Sequence, residues 1–104
     1  MNKISTVKEY EELLNVPGRH VIKVSASWCG PCKALSNILE QLADEVKELI
    51  VEIDADKAEE ELLSILHVRN VPLLIFYDGN QEYARRVGIE TKDSVLTLIN
   101  DENS

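Results

Sequence analysis

Two cysteines separated by two residues form the part of this sequence best suited to chemistry. Cys29 and Cys32 enclose Gly30-Pro31 and follow Trp28. Proline is tolerated in the first turn of a helix, and the apolar residues that follow recur with a helical period, so the pair is predicted to straddle a helix N-terminus. Unsatisfied backbone N–H groups and the positive end of the helix dipole favour a thiolate there. The spacing therefore indicates a redox-active dithiol.

The two sulfurs are predicted to have different roles in thiol–disulfide exchange. Because the thiolate is the nucleophile, Cys29 is expected to attack a substrate disulfide and form a mixed disulfide. Cys32 lies about one turn further into the predicted helix, where it is expected to be shielded from substrates. Its attack on Cys29 would release the reduced substrate and leave an internal disulfide.

The alternatives for this spacing are a zinc or iron–sulfur site, a haem attachment and a pair of unreactive core cysteines. Zinc and iron–sulfur sites usually need about four ligands, whereas this chain offers two cysteines, His20 and His67. Haem attachment requires a histidine directly after the second cysteine, where this sequence has Lys33. We therefore expect no metal and no bound cofactor.

Composition restricts the class of protein. The chain has 104 residues and 44% hydrophobic content, which predicts a single domain over 1–104. A formal net charge of −8, with scattered basic residues, disfavours nucleic acids and anionic membrane surfaces as ligands. We find neither a signal-peptide pattern nor an apolar run of about 20 residues, so we expect the chain in the cytoplasm. In that compartment a close cysteine pair is seldom a permanent crosslink.

Hydrophobic periodicity predicts the elements that must position the cysteines. In chain order they are a short strand at 3–5, a helix at 6–14, a strand at 20–26, a helix of about five turns over 31–49 and a strand at 50–53. A helix at 58–66, hairpin strands at 72–77 and 82–87, and a last helix at 91–99 follow. Residues 101–104 are expected to fray. This order predicts an α/β fold, a central sheet with helices on both faces.

The segment from Trp28 to Lys33, which reads WCGPCK, is similar to the active-site sequence of the thioredoxin family. Val71-Pro72 resembles the family's cis-proline loop, and Asp78-Gly79 resembles its hairpin turn. Val87-Gly88 resembles the glycine before its last helix, and Ile53-Asp54 the end of its middle strand. The resemblance covers nearly the whole chain. It implies a thioredoxin fold, a mixed sheet in the order 1-3-2-4-5 flanked by four helices.

The resemblance also implies roles for several residues around the cysteines. Pro72 would be cis and would present the backbone of Val71 to an extended substrate. Trp28 would form part of the docking surface, with core packing as the alternative. Gly88 would allow a partner to approach closely, although a turn before a helix explains a glycine nearly as well. Gly30-Pro31 would favour a reductant over an oxidant.

Carried over to this chain, the resemblance implies a monomer that reduces disulfides in proteins. Electrons would reach it from NADPH through a separate flavin-containing thioredoxin reductase, and ribonucleotide reductase would be one possible recipient. Two alternatives remain open. One is a binding module of the same fold, such as a polymerase processivity subunit, in which the cysteines are dispensable. The other is an oxidase or isomerase with a higher reduction potential.

The sequence departs from the family pattern at a buried position near the cysteines. Most members have an aspartate there that assists proton transfer, whereas this chain has Lys23, and the aspartate's usual lysine partner falls at Ile50. The charged pair is therefore expected to be absent. Lys23 is expected to be solvated, or to reach toward water, or, if trapped, to bind its proton less tightly and bias Cys32 toward the thiolate.

Other positions carry weaker expectations. Asn37 replaces a helix-kinking proline, which predicts a straighter long helix, and Leu73 replaces a threonine after the cis-proline. His20 is expected to face solvent before its strand, and His67 is expected near a helix end. The run Glu59-Glu60-Glu61 is expected to be a solvated helix face, with Leu62, Ile65 and Leu66 as the buried stripe.

Overall fold

Strands form where β-branched and apolar residues run together, and helices form where apolar residues recur three or four positions apart. The structure is a computed structural model that describes residues 2–100. The strands are β1 (Asn2–Lys3), β2 (Arg19–Ser25), β3 (Ile50–Asp54), β4 (Leu73–Asp78) and β5 (Gln81–Val87). The helices are α1 (Val7–Leu14), α2 (Gly30–Glu40), α3 (Asp44–Lys47), α4 (Glu60–Ile65) and α5 (Lys92–Asn100). The predicted frayed end at 101–104 lies outside the described residues.

The first and last helices begin where the sequence predicts them. Thr6 caps α1, and its hydroxyl accepts a hydrogen bond from the Glu9 N–H at 3.1 Å. The Glu9 carboxylate accepts in return from the N–H groups of Ser5 and Thr6, and these bonds lower the pKa of Glu9, the Ser5 bond most of all. Thr91 accepts from the Ser94 N–H at 3.1 Å before α5. Both caps satisfy N–H groups that a helix start leaves without partners.

The five strands form one mixed sheet in the order β1-β3-β2-β4-β5. β3 pairs in parallel with both β1 and β2, whereas β4 pairs antiparallel with both β2 and β5. The sheet order that the resemblance implies is therefore confirmed. β2 lies at the centre and is buried from His20 onward, while β5, with Arg85 and Arg86, occupies an edge as its charges predict.

Alternating side chains of the sheet supply two hydrophobic clusters, one on each face. Leu74 and Phe76 pack with α2 and α5, whereas Leu73, Ile75 and Tyr77 pack with α1 and α4. These side chains are almost fully buried, and burying each large apolar one stabilises the folded state by roughly 1.5–3 kcal/mol. This packing on both faces fixes β2 and α2, the elements that carry the cysteines.

The single long helix predicted over 31–49 is wrong. α2 ends at Glu40, and a separate helix, α3, begins after Ala43, whose backbone is extended at φ −60° and ψ 151°. The N–H of Leu42 bonds the carbonyl of Leu39, three residues back, and the buried Leu42 side chain joins the core. Residues 2–100 thus form five helices rather than four. The break comes after Glu40, and α2 continues through Asn37 without interruption.

Two smaller expectations need correction in the short helix α4. Leu62 and Leu66 are buried as predicted, but Ile65 is 42% exposed and does not belong to the buried stripe. The helix predicted at 58–66 spans only the six residues Glu60–Ile65. His67, which has a φ of 54°, lies just after its end. The exposed run Glu59-Glu60-Glu61 is confirmed as a solvated face.

His20 does not face solvent as predicted. It is 5% exposed, and its ring stacks on that of Tyr77, its partner across the β2–β4 pair, at 5.2 Å between centroids and 6° between planes. Within residues 2–100 neither ring nitrogen has a hydrogen-bond partner. Burial lowers the pKa of His20, against weaker opposing effects of the Gly18 carbonyl and the Asp78 carboxylate. Burial thus favours the neutral form of this imidazole in the folded protein.

We predict that His20 makes the protein less stable in acid. Its pKa is lower in the folded than in the unfolded chain, so unfolding takes up a proton, and the free energy of unfolding falls as the pH drops below about 6.5. Replacing the ring in His20→Phe should flatten this part of the curve. Urea unfolding of the oxidised protein between pH 8 and pH 5 measures it.

The matched control is His67→Asn, which removes an exposed imidazole and suits a positive φ. This variant should keep the pH dependence of the wild type. The same slope in His20→Phe and wild type would contradict the assignment.

Candidate active site

The cysteines lie where β2 leads into α2. β2 ends at Ser25, and Cys29 caps α2 with an extended backbone at φ −92° and ψ 111°. Its sulfur accepts a hydrogen bond from the N–H of Cys32 at 3.1 Å, and Pro31 occupies the first turn. The predicted helix N-terminus is therefore confirmed. A negative charge on the Cys29 sulfur would be stabilised by this N–H and by the helix dipole.

The structure shows the oxidised form, in which Cys29 and Cys32 are joined in a disulfide with 5.2 Å between their Cα atoms. This separation lies inside the usual range for disulfides, so the backbone already holds both sulfurs within bonding reach. Gly30 leaves open space where a Cβ would lie and has no positive φ, so sterics do not require a glycine here.

Both cysteines are buried in this form. Cys32 is 2% exposed, as the shielding prediction requires, but Cys29 is only 5% exposed, so the difference in access is small. Their neighbours in the cluster are Ala26 and, partly buried, Val71. Val71 is thus a partly buried residue that borders the disulfide.

The loop before β4 lies against the disulfide. The Val71–Pro72 peptide is cis, as the resemblance implies, and the Val71 carbonyl oxygen is 3.8 Å from the Cys29 sulfur. The Pro72 carbonyl accepts from the Gly88 N–H at 2.9 Å, which ties the end of β5 to this loop. Gly88 has a φ of +95° with open space around it, so its turn explains the glycine. Leu73 is 2% exposed and faces the core rather than a substrate.

Trp28 lies on the surface beside the cysteines. Its side chain is 72% exposed, so the alternative of core packing is wrong. The indole Nε1 donates to Oδ1 of Asp56 at 3.1 Å, which holds the ring in one orientation. The N–H of Asp56 donates in turn to the carboxylate of Asp54 at 2.9 Å. Our sequence reasoning missed Asp56, although its place just after a strand parallel to β2 is a signal for a site residue.

A groove extends from Trp28 along the loop that precedes the cis-proline. Its volume is about 440 Å³, and Leu63, Val68 and Val71 supply apolar walls while Arg69 adds a cation. Its volume lies near the lower end of the range for small-ligand pockets, roughly 300–1,000 Å³.

The expectations that Lys23 is solvated or reaches toward water are wrong. Its side chain is 1% exposed, and its Nζ donates to the Ser36 hydroxyl and lies 3.4 Å from Oε2 of Glu52. The β2–β3 register pairs Lys23 with Glu52 and places Ile50 opposite Val21. The prediction that a charged pair is absent is therefore wrong. A pair exists, with the cation on β2 and the anion on β3.

Two further features of residues 2–100 concern metal binding and membranes. No group of three or more histidine, cysteine or acidic side chains is placed to bind a metal ion. None of the described helices has the length and apolar character to cross a membrane.

Comparison with known proteins agrees with this geometry. The family model for thioredoxin matches residues 2–101. Thioredoxin from Mycoplasmoides gallisepticum is 32% identical over 95% of this chain and 99% of its own length. Thioredoxin from Chlamydia caviae is 34% identical over 99% of this chain and 100% of its own. The X-ray structure of Fasciola hepatica thioredoxin superposes with a TM-score of 0.81 at 28% identity, covering 94% of this chain and 96% of that one.

The matches extend over nearly all of the chain and include the redox pair at Cys29 and Cys32. The protein is a dithiol–disulfide oxidoreductase that reduces disulfides in proteins. Its sheet order, its cis-proline and its relatives all lead to the same assignment, and the chain belongs to the thioredoxin family.

Proposed function

We propose that Cys29 is the attacking thiolate and Cys32 the resolving thiol in the reduction of protein disulfides. The observation that carries this assignment is the 3.1 Å hydrogen bond from the Cys32 N–H to the Cys29 sulfur. Because Cys29 caps the helix, negative charge on its sulfur is favoured over charge on Cys32. The buried Cys32 then attacks Cys29, and the substrate leaves as a thiol.

The substrate is proposed to bind as an extended segment across Val71 and Pro72. The Val71 backbone lies beside the Cys29 sulfur, where main-chain hydrogen bonds would align a substrate disulfide with it. Trp28 stands on one side, and the exposed Val87 continues the apolar surface next to Gly88. These residues form the proposed docking rim.

The remaining proposals concern partners and location. We propose that NADPH supplies electrons through a separate thioredoxin reductase, with no cofactor bound to this chain. Cytoplasmic proteins with reducible disulfides would be the substrates, and ribonucleotide reductase is one possible recipient. A reducing cytoplasm suits this cycle because it keeps the dithiol form available. The protein would act as a monomer in electron transport, since each copy holds both cysteines.

We predict opposite phenotypes for the two cysteine variants. Cys29→Ser should lower insulin reduction to the dithiothreitol background, because the attacking sulfur is absent. Cys32→Ser should still attack but should accumulate a mixed disulfide, since nothing resolves it. Mass spectrometry after reaction with a disulfide substrate detects that adduct. An adduct on Cys29→Ser instead would reverse the assignment of roles.

We predict that Trp28 contributes to docking rather than to the reactivity of the sulfur. Trp28→Ala should lower kcat/KM for insulin by about tenfold, equivalent to about 1.4 kcal/mol of lost contact. Alkylation of Cys29 by iodoacetamide should change by less than about twofold, because the helix N-terminus is intact. The matched control is Val16→Ala, which removes another exposed apolar side chain before β2, at the far end from the cysteines. An equal loss in both variants would count against a docking role.

A further inference from the structure

The resolving step needs a proton acceptor for Cys32. An ordinary thiol has a pKa of about 8.5, so most of it is protonated at neutral pH, and only the thiolate attacks. Cys32 is 2% exposed, so its sulfur has little direct contact with bulk water. Some group close to it has to take the proton before the sulfur can displace a substrate.

A cavity on the inner side of the cysteines connects Cys32 with acidic side chains. Its volume is about 230 Å³, and its walls include Cys32, Ser36, Glu52 and Asp54. A water molecule takes up about 30 Å³ of liquid volume, so the cavity has room for several. Water there can link the Cys32 sulfur to a carboxylate.

Glu52 is better suited to accept the Cys32 proton than the other charged groups that line this cavity. Lys3 on β1 and Lys33 on α2 are ammonium groups, which donate and do not accept. The Oδ1 of Asp54 accepts the Asp56 N–H at 2.9 Å, which ties this carboxylate to the loop that contacts Trp28. Glu52 is instead tied through Lys23 to Ser36 on α2. The Glu52 side chain is 18% exposed, and no described residue bonds its Oε1. That oxygen is free to meet water in the cavity.

Lys23 and Ser36 explain why Glu52 stays in place. The Lys23 ammonium is buried between the Ser36 hydroxyl and Oε2 of Glu52, 3.4 Å away. Ser36 lies four residues after Cys32, so it follows Cys32 on the same face of α2. The buried cation thus fixes the carboxylate of β3 below the helix that carries the resolving sulfur.

We propose that Glu52 accepts the Cys32 proton through water in this cavity, with Lys23 and Ser36 as positioning residues. The proposal rests on the resolving role assigned to Cys32. The proton passes from the Cys32 sulfur to the Glu52 carboxylate, and the thiolate attacks the Cys29 sulfur of the mixed disulfide. The Cys29–Cys32 bond forms, and the Cys29–substrate bond breaks. The electron pair leaves on the substrate sulfur, which takes a proton from solvent, and Glu52 returns its proton to solvent.

Stopped-flow reaction of the reduced protein with the aromatic disulfide 5,5′-dithiobis(2-nitrobenzoate) separates the two steps. The first thionitrobenzoate is released when Cys29 attacks, and the second when Cys32 resolves the adduct. In Glu52→Gln the second phase should be slower by about a hundredfold at pH 7, the lower end for loss of a general base. Its rate should then rise with pH up to pH 9, while the first phase should stay within twofold of wild type.

Two variants serve as comparisons. Glu48→Gln changes the charge in the same way at an exposed site that does not line this cavity, and both phases should match wild type. Asp54→Asn tests the other carboxylate of the cavity and should change the second phase by less than about twofold. A larger effect in Asp54→Asn than in Glu52→Gln would overturn the proposal.

The direction in which the rate of the second phase changes distinguishes a proton acceptor from a group that only neutralises Lys23. If Glu52 only neutralised Lys23, its removal would leave a cation that favours the Cys32 thiolate, and the second phase would become faster. A second phase that is unchanged or faster in Glu52→Gln therefore overturns the proposal.

Loss of stability is controlled by the double variant Lys23→Met/Glu52→Gln, which removes both buried charges. It should fold, as judged by circular dichroism, and it should also resolve slowly. A wild-type second phase in this variant would equally refute a role for Glu52. The proposed roles of the cysteines are tested separately, because loss of the first phase in Cys32→Ser would contradict them whatever Glu52 does.

Discussion

The hydrogen bond from the Cys32 N–H to the Cys29 sulfur is the contact on which the chemistry of this protein depends. It exists because the chain turns from a buried central strand into a helix within a few residues, and Pro31 requires no N–H in the first turn. The helix is held in turn by Leu35 and Leu39, both fully buried against the sheet. The reactivity of one sulfur is thus supported by the packing of an entire layer.

The sheet register has a comparable influence on the other sulfur. A parallel pair in which Lys23 lies opposite Glu52 puts both charges on one side of the sheet, beneath α2. A shift by one residue would turn one of the two side chains to the opposite face and leave the other buried without a partner. The pairing of β2 with β3 therefore determines which charged side chains lie beneath α2, more than the residues next to the cysteines in sequence do.

Much of the fold and the centre of the site could be predicted from local patterns. Hydrophobic periodicity predicted the first helix at 6–14, close to α1, and the WCGPCK segment predicted the redox pair at a helix N-terminus. The features that were missed depend on tertiary contacts. The helix break near Ala43 follows from burial of Leu42, and His20 is buried because its strand neighbour is Tyr77. Such contacts leave no periodic signal in the sequence.

The wrong prediction that Lys23 lacks a charged partner shows the same limit of sequence reasoning at the site itself. The family resemblance placed the missing lysine at Ile50, whereas the β2–β3 pairing places Glu52 opposite Lys23. The partner of the indole, Asp56, likewise lies 28 residues away from Trp28 along the chain. Pairing across distant segments has to be seen in the structure, because periodicity describes only one segment at a time.

The exposed indole of Trp28 also bears on how separate molecules behave in solution. A large apolar side chain left open on the surface promotes self-association, but every copy carries a net charge of −8. Repulsion between like charges opposes this association at low ionic strength, and at 0.1 M salt it is screened beyond about 10 Å. The same net charge also disfavours the approach of acidic segments to the exposed ring.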